Sequence, residues 1–352
     1  MYKNSCKLRR HQVSLILVIC LLISTIISGC SSNESNRSST EPLSKSTFLL
    51  NTIVTITIYD SNDESVLEGA FDLCKKYENI FSRTSSDSEL YQLNEGSLEK
   101  KENGYEVSDE LSQLIQAGLT YGKLSNGSFD IAIEPVSSLW DFTAEDPQIP
   151  DDSIIQSKLP LVNYQDVTVI GNQIKFAKEG MGLDLGAIAK GYIADQIKNY
   201  LLENDVNSAM INLGGNVLCV GTKPNGAPFN IGIQKPFADR NETVAVMELK
   251  DVSVVSSGIY ERYFTKDDKF YHHILNPKTG YPYETDLVAV TIISDKSVDG
   301  DGLSTSCFAL GLEEGMKLIN SLEHTYAVFI TEDYEMHYSD GFLEDIKVTN
   351  QE

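Results

Sequence analysis

The feature that most constrains the fold is a change in hydrophobic pattern near residue 205. Before it, apolar residues recur mostly at helical spacing. After it, short apolar runs alternate with turn residues, which predicts consecutive β-strands. Strands and helices that occupy separate parts of a chain favour the α+β class, with mixed or antiparallel sheets and flanking helices. The predicted strands are Ala209–Leu213, Val217–Val220, Asn230–Gln234, Thr243–Leu249, Val252–Val255, Phe270–Leu275, Leu287–Ile293 and Tyr326–Ile330.

Four helices are predicted around these strands. Apolar residues at a 3.6-residue period mark Glu64–Phe81, a segment after the capping residue Ser108, and 188–202. A last helix is predicted over 303–322. Alternating threonine and aliphatic residues predict a single strand over 48–59.

The first thirty residues form a leader. A basic start with no acidic residue precedes an apolar run over 13–27, and the run ends in Ile27-Ser28-Gly29-Cys30. This pattern predicts a secretory signal peptide over 1–29. A transmembrane anchor is the alternative, but the apolar run is short for a span. The cysteine after small residues resembles a bacterial lipobox, which implies cleavage before Cys30 and a diacylglyceryl group, with acyl chains such as palmitate, on its sulfur.

The leader therefore predicts a protein held on the extracytoplasmic face of the cell membrane by the Cys30 lipid. Residues 30–47 are rich in Ser, Asn and Thr and predict a flexible tether. A single domain is expected over 48–345.

The charge balance excludes nucleic acid and anionic lipid surfaces as partners. The net charge is −23, and loss of the leader's four cations leaves 24 basic against 51 acidic side chains. Cys74, Cys219 and Cys307 have no paired or metal-binding spacing, so we predict buried free thiols.

Four segments combine residue types that carry chemistry. In 182–192 a strand-like Leu-Asp-Leu leads through small residues into a helix, whose first amide groups can bind an anion between Asp184 and Lys190. An ordinary strand–turn–helix with a capping Asp remains the alternative. The paired glycines in 212–217 favour a hairpin turn and do not match the dinucleotide fingerprint.

The third segment contains His272 and His273. Neighbouring residues of a strand face opposite sides, so only one imidazole is expected in a site, as a general base or a phosphate donor. In the fourth segment, Asp301 and Thr305 are four residues apart at a predicted helix start, so their oxygens share a face and suit Mg²⁺. An acidic turn with an Asp cap is the alternative.

These segments occur in an order that resembles the ApbE family of FAD:protein FMN transferases. The resemblance covers about 48–340 and implies an α+β domain with a flavin cleft. The matching segments are Phe81–Thr84 with Asp87–Leu90, Gly127–Ile131 with Trp140, Asp184–Asp195, Asn212–Val217, Ser256–Arg262, His273–Gly280 and Asp301–Thr305.

The resemblance also implies roles for individual residues. Asp301, Thr305 and the Ala187 carbonyl oxygen are expected to bind Mg²⁺, and His273 is expected nearest the transferred phosphate. The expected FAD contacts are Asn51, Thr52, Thr84, Ser128, Phe129, Asp130, Asp184, Lys190, His273 and Leu275. Two departures weaken individual contacts: Leu50-Asn51-Thr52 stands where the family often has Met-Gly-Thr, and Thr84 stands where many relatives have an aromatic residue.

The implied activity is the transfer of FMN from FAD to a threonine of an acceptor protein, with release of AMP. His273 is the expected base, and an unperturbed pKa near 6.5 would make activity rise with pH through that value. A Mg²⁺-dependent FAD pyrophosphatase and a non-catalytic flavin-binding lipoprotein are the alternatives.

Overall fold

A computed structural model describes residues 41–239 and 241–349. The predicted signal peptide and Cys30 lie outside these residues. The strands, in chain order, are β1 Leu43–Leu49, β2 Thr52–Ile58, β3 Lys100–Lys101, β4 Gly104–Glu106, β5 Val167–Ile170, β6 Gln173–Phe176, β7 Ser208–Leu213, β8 Asn216–Gly221, β9 Phe229–Gln234, β10 Thr243–Leu249, β11 Ser253–Gly258, β12 Tyr263–Lys266, β13 Lys269–His272, β14 Leu287–Ser294, β15 Thr325–Thr331, β16 Met336–Tyr338 and β17 Lys347–Thr349. The helices are α1 Glu64–Phe81, α2 Glu89–Asn94, α3 Asp109–Leu124, α4 Glu134–Ser137, α5 Asp152–Lys158, α6 Ala189–Glu203, α7 Ser297–Asn320 and α8 Phe342–Asp345.

The largest element of the fold is an antiparallel sheet in the order β1-β2-β7-β8-β11-β14-β15-β16. Strand β14 lies inside it and is buried along its whole length. Val290 and Ile292 belong to the core shared with α7, whereas Ala289 and Ile293 pack with the three-stranded sheet β17-β10-β9. The sheet is therefore covered on both faces, which confirms the predicted α+β class.

The N-terminal part of the domain differs from the expectation. The single strand predicted over 48–59 is a hairpin of β1 and β2, whose turn residues Leu50 and Asn51 both have φ of 55°. The predicted tether to residue 47 is wrong from Leu43 onward, because those residues form β1. Their polar side chains fit an exposed strand face, where the hydroxyls of Ser44 and Thr57 form a hydrogen bond.

Helix α7 begins six residues before its predicted start at residue 303, and it contains a break at Gly311. Its N-terminus is capped by another helix: the carboxylate of Asp195 in α6 accepts hydrogen bonds from the amides of Ser297 and Val298. Asp301 therefore lies inside a helix. Among the described helices, none combines the length and apolarity needed to cross a membrane.

Candidate functional site

The site is built where α6 and α7 approach each other closely. A Cβ atom at Gly191 would lie 2.3 Å from the Ser297 carbonyl oxygen, so only glycine permits this contact. The approach brings the Gly191 amide to the Asp301 carboxylate, with 2.6 Å between N and Oδ2. The other oxygen, Oδ1, accepts a hydrogen bond from the Asn216 side-chain amide at 3.0 Å. Two helices and the start of β8 thus hold one carboxylate.

We expect Gly191→Ala to destabilise the domain by about 1–3 kcal/mol, because the added methyl group forces α6 away from α7. Thermal unfolding followed by circular dichroism measures this loss. An unchanged melting temperature would contradict the close packing described above.

Asp301 is more buried than expected. We predicted a metal ligand at the start of a helix, where side chains are usually open to solvent, but Asp301 is only 5% exposed. Burial raises the pKa of its carboxyl group, and the nearby Lys190 charge, the Asn216 bond and the Gly191 bond oppose that shift. A cation beside the carboxylate would favour the ionised form in the same way.

The carbonyl group of Ala187, just before α6, has no hydrogen-bond partner within the described residues. Gly191 lies in the first turn of α6, where backbone amides have no acceptor within the helix, and its amide bonds to Asp301. Ala187 is exposed, with no hydrogen bond to its carbonyl within 41–239 and 241–349. Thr305 follows Asp301 by one helical turn, with its hydroxyl 3.2 Å from that of Ser257.

These donors fit Mg²⁺, which prefers oxygen ligands and usually keeps several positions for water or substrate phosphates. The set is one carboxylate, one hydroxyl and one unpaired carbonyl. In the described part of the chain there is no cluster of three or more His, Cys, Asp or Glu side chains that could hold a metal. A metal at Asp301 would complete its coordination with water or substrate oxygens.

His273 directly follows β13, and the positive charge of Lys190 in α6 acts on its imidazole, so the two residues face the same region. The backbone N–H of His273 donates to the Arg262 carbonyl oxygen at 3.2 Å, and Nδ1 lies 3.3 Å from the same oxygen. A carbonyl only accepts, so this contact places the proton on Nδ1 and leaves the Nε2 lone pair available.

Burial lowers the pKa of His273 to about 3, and the positive charges of Arg262 and Lys190 act in the same direction. The side chain keeps part of its surface exposed, and its lowered pKa favours the neutral imidazole at physiological pH. The expectation of an unperturbed pKa near 6.5 is not supported by this environment.

His272 has a different environment. It is buried against Phe308, with ring centroids 5.7 Å apart. Its Nδ1 accepts from the Ile274 amide, and Nε2 lies 2.9 Å from the Tyr283 carbonyl oxygen, to which it donates. Both nitrogens are thus occupied within the protein, as expected for a residue outside the site.

Asp184 lies in the turn before α6 and accepts from three groups. Its Oδ2 lies 3.0 Å from Nε of Arg83 and 2.8 Å from the Ser137 hydroxyl, and its Oδ1 accepts from the Gly186 amide at 3.0 Å. Glu134 lies nearby, and burial raises the pKa of its carboxyl group. Arg83 therefore neutralises an acidic corner of the predicted cleft.

The Ser128-Phe129-Asp130 segment is linked to β13 through Tyr283. The Tyr283 hydroxyl donates to the Ser128 carbonyl oxygen at 2.8 Å, and the Tyr283 carbonyl oxygen accepts from His272 in β13. Phe129 is buried in the core. The Asp130 carboxylate accepts from the amides of Ala132 and Tyr164, at 2.7 and 2.8 Å, so it anchors the local backbone. Burial raises the pKa of Asp130 to about 6.

The remaining predicted contacts lie at the edges of this region. Leu275 is buried in a cluster with Trp140 and Phe264. Thr52 contacts the β7–β8 turn so closely that a Cβ at Gly214 would lie 2.1 Å from its hydroxyl oxygen. Asn51 and Thr84 are both exposed. These residues stay predictions as flavin contacts.

Sequence reasoning missed Arg83, Asn216 and Arg262 as individual site residues, although the matched segments included all three. Arg83 contacts Asp184, which lies 101 residues later in the chain. Asn216 contacts Asp301, which lies 85 residues later. No local pattern predicts such pairs. The one local indication of a role for Arg83 is its position next to Thr84, an expected FAD contact.

Comparison with known proteins gives consistent matches. The model of the ApbE family matches residues 50–330. A Klebsiella pneumoniae (strain 342) protein named FAD:protein FMN transferase is 36% identical over 83% of this chain and 90% of its own length. A Treponema pallidum (strain Nichols) protein of the same name is 30% identical over 98% of this chain and 97% of its own length.

A solved structure shows the same fold. The crystal structure of the ApbE protein from Thermotoga maritima MSB8 has a TM-score of 0.77 and 30% identity, and the alignment covers 86% of this chain and 99% of that one. With a family match over most of the domain, relatives at 30% identity or more and a shared fold, this chain belongs to the ApbE family.

Proposed function

We propose that this protein transfers the FMN half of FAD to an acceptor protein and releases AMP, with Mg²⁺ as the cofactor and a threonine hydroxyl as the acceptor group. Family membership and the names of the relatives support the reaction type. The observation that most supports a metal-assisted site is the buried Asp301 carboxylate, which the Gly191 amide ties to the first turn of α6, directly after the unbonded Ala187 carbonyl.

Asp301, Thr305 and the Ala187 carbonyl would hold the Mg²⁺, which when bound neutralises charge on the FAD pyrophosphate as a Lewis acid. Lys190 lies within electrostatic reach of both Asp301 and His273. In that position its ammonium group, which forms no hydrogen bond or ion pair with the described residues, suits a phosphate oxygen between them. Asp184 would accept a hydroxyl group of the ligand.

The chemical step is a phosphoryl transfer. The acceptor hydroxyl oxygen forms a bond to the phosphorus on the FMN side, and the bond from that phosphorus to the bridging oxygen breaks, so AMP leaves with that oxygen. The hydroxyl proton passes to Nε2 of His273. The low pKa of His273 keeps that nitrogen free of a proton before the reaction.

An assay of AMP release separates this proposal from its alternatives. The protein is incubated with FAD and Mg²⁺, with and without an acceptor protein that carries a flavinylation threonine. We expect AMP release to depend on both the acceptor and Mg²⁺. Equal AMP release without acceptor, with free FMN as the second product, would indicate a pyrophosphatase, and no AMP under any condition would indicate a flavin-binding protein without turnover.

We further propose that the mature protein begins at Cys30 and is anchored to the membrane by its lipid, which supports an extracytoplasmic acceptor. Cys30→Ala is expected to prevent lipidation and cleavage at this position. Two or more acyl chains give stable anchoring, so the wild type should pellet with membranes after salt washing. Identical processing and retention of Cys30→Ala, measured by fractionation and N-terminal mass spectrometry, would contradict the proposal.

A further inference from the structure

We propose that Asn216 is a positioning residue for the metal site: its side-chain amide orients the Asp301 carboxylate toward the cation. This inference rests on the proposed function, since it assumes that Asp301 binds Mg²⁺. It goes beyond that function by assigning a role to a residue that lies at the start of β8 and donates to the carboxylate oxygen of Asp301 that the Gly191 amide does not contact.

Asn216 is held rigidly. It is 1% exposed, and both ends of its amide are used. Nδ2 donates to Oδ1 of Asp301 at 3.0 Å, and the amide oxygen accepts from the Ser297 hydroxyl at 2.8 Å. An ionised carboxylate can only accept, so the amide nitrogen faces Asp301, and the amide oxygen then accepts from the Ser297 hydroxyl.

The carboxylate of Asp301 is consequently fixed from two directions. Asn216 donates to Oδ1, and the Gly191 amide donates to Oδ2 at 2.6 Å. Each carboxylate oxygen keeps a second lone pair, because an ionised carboxylate offers about four acceptor sites. Two donors on different oxygens define the plane of the group, so the remaining lone pairs have a fixed direction.

The two donors to Asp301 differ in how they can be tested. The Gly191 donor is a backbone amide, which no change of side chain other than proline removes. Asn216 is thus the side chain through which the orientation of Asp301 can be tested. Partners that orient a metal ligand typically change metal affinity 10–100-fold when they are mutated.

The hydrogen-bond network supplies a matched control. Ser253 is fully buried at the far end of the same network, where its hydroxyl lies 2.9 Å from that of Ser297. It makes no direct contact with Asp301. Ser253→Ala therefore perturbs the buried network without removing a donor from the metal ligand.

The test is a titration with Mn²⁺ as the spectroscopic probe, followed by electron paramagnetic resonance. It uses the folded full-length domain, with and without ADP, which carries a diphosphate and no flavin. We expect Asn216→Ala to weaken Mn²⁺ binding 10–100-fold and Ser253→Ala to change it less than twofold. In the transfer assay, Asn216→Ala should require more Mg²⁺, with a maximal rate near that of the wild type.

Binding of Mn²⁺ by Asn216→Ala within twofold of the wild type would overturn the inference, and so would an equal loss in Ser253→Ala. If Asn216→Ala does not fold, Asn216→Ser is titrated under the same criterion. Absence of Mn²⁺ binding in the wild type, with and without ADP, would instead overturn the metal site in the proposed function and this inference with it.

Discussion

Asp301→Asn is expected to reduce FMN transfer about 10³-fold at low Mg²⁺ while the domain stays folded. A catalytic metal ion contributes several kcal/mol of transition-state stabilisation, and each 1.36 kcal/mol corresponds to about tenfold in rate. Asparagine keeps the shape of the side chain but removes the negative charge that attracts the cation. The measurement is the initial rate of AMP release as a function of Mg²⁺ concentration.

The choice of asparagine follows from the burial of Asp301. Alanine would leave both the Gly191 amide and the Asn216 amide without their acceptor, which costs about 1–3 kcal/mol for each buried group. Asparagine keeps one acceptor oxygen for one of these two donors, so it costs less stability than alanine. Thr305→Ala is the graded comparison, because a neutral hydroxyl contributes less to a hard cation than a carboxylate does. If Asp301→Asn turns over at the wild-type rate in low Mg²⁺, Asp301 does not bind the metal.

His273→Ala is expected to lower the transfer rate about 10²–10⁴-fold, the usual effect of removing a general base. FAD affinity should change little, because the available Nε2 is assigned to the acceptor proton. The two quantities are separated by flavin fluorescence titration for binding and by the AMP assay for rate. A large loss of FAD affinity with an unchanged rate at saturation would make His273 a binding residue.

The pH dependence provides an independent check on His273. Its pKa is lowered to about 3, so the imidazole is already deprotonated at pH 5. Between about pH 5 and 8, the titration of His273 should therefore cause no rise in kcat/KM. The wild type and His273→Ala should have pH profiles of the same shape over this range. A rise through a pKa near 6.5 that is lost in the variant would contradict the lowered pKa of His273.

His272→Ala serves as the comparison for the transfer rate and for its pH dependence, but the structure changes the effect expected of this substitution. Because strand alternation puts only one of the two histidines in the site, the sequence alone predicts that His272→Ala is nearly silent. The structure keeps it outside but buries it, with hydrogen bonds from Ile274 and to Tyr283. We therefore expect a loss of stability with little effect on the rate of the folded protein.

The regular elements could be predicted where one local signal decided them. Helix α1 has the predicted ends, because Asp63 caps its N-terminus and its apolar residues follow one face. Strand β10 also has its predicted ends. The buried free thiols of Cys74, Cys219 and Cys307 were predicted from their apolar surroundings, and burial raises their pKa to about 12.

Features that depend on distant partners could not be predicted. Helix α7 begins early because its cap comes from Asp195 in α6, and the Gly300 and Gly302 residues near its start suggest a turn when taken alone. The same limit applies to the site. The residue types Asp301, Thr305 and His273 pointed to the chemistry, but the burial of Asp301, its bond to Asn216 and the lowered pKa of His273 arise from tertiary packing.

The measurement that tests the central claim most directly is the intact mass of an acceptor protein after incubation with this protein, FAD and Mg²⁺. The account predicts that the acceptor gains the mass of one FMN less one water, on a threonine located by fragmentation. An acceptor in which that threonine is replaced by alanine should gain nothing. An acceptor of unchanged mass, in a reaction that consumes FAD and yields free FMN and AMP, would contradict the claim.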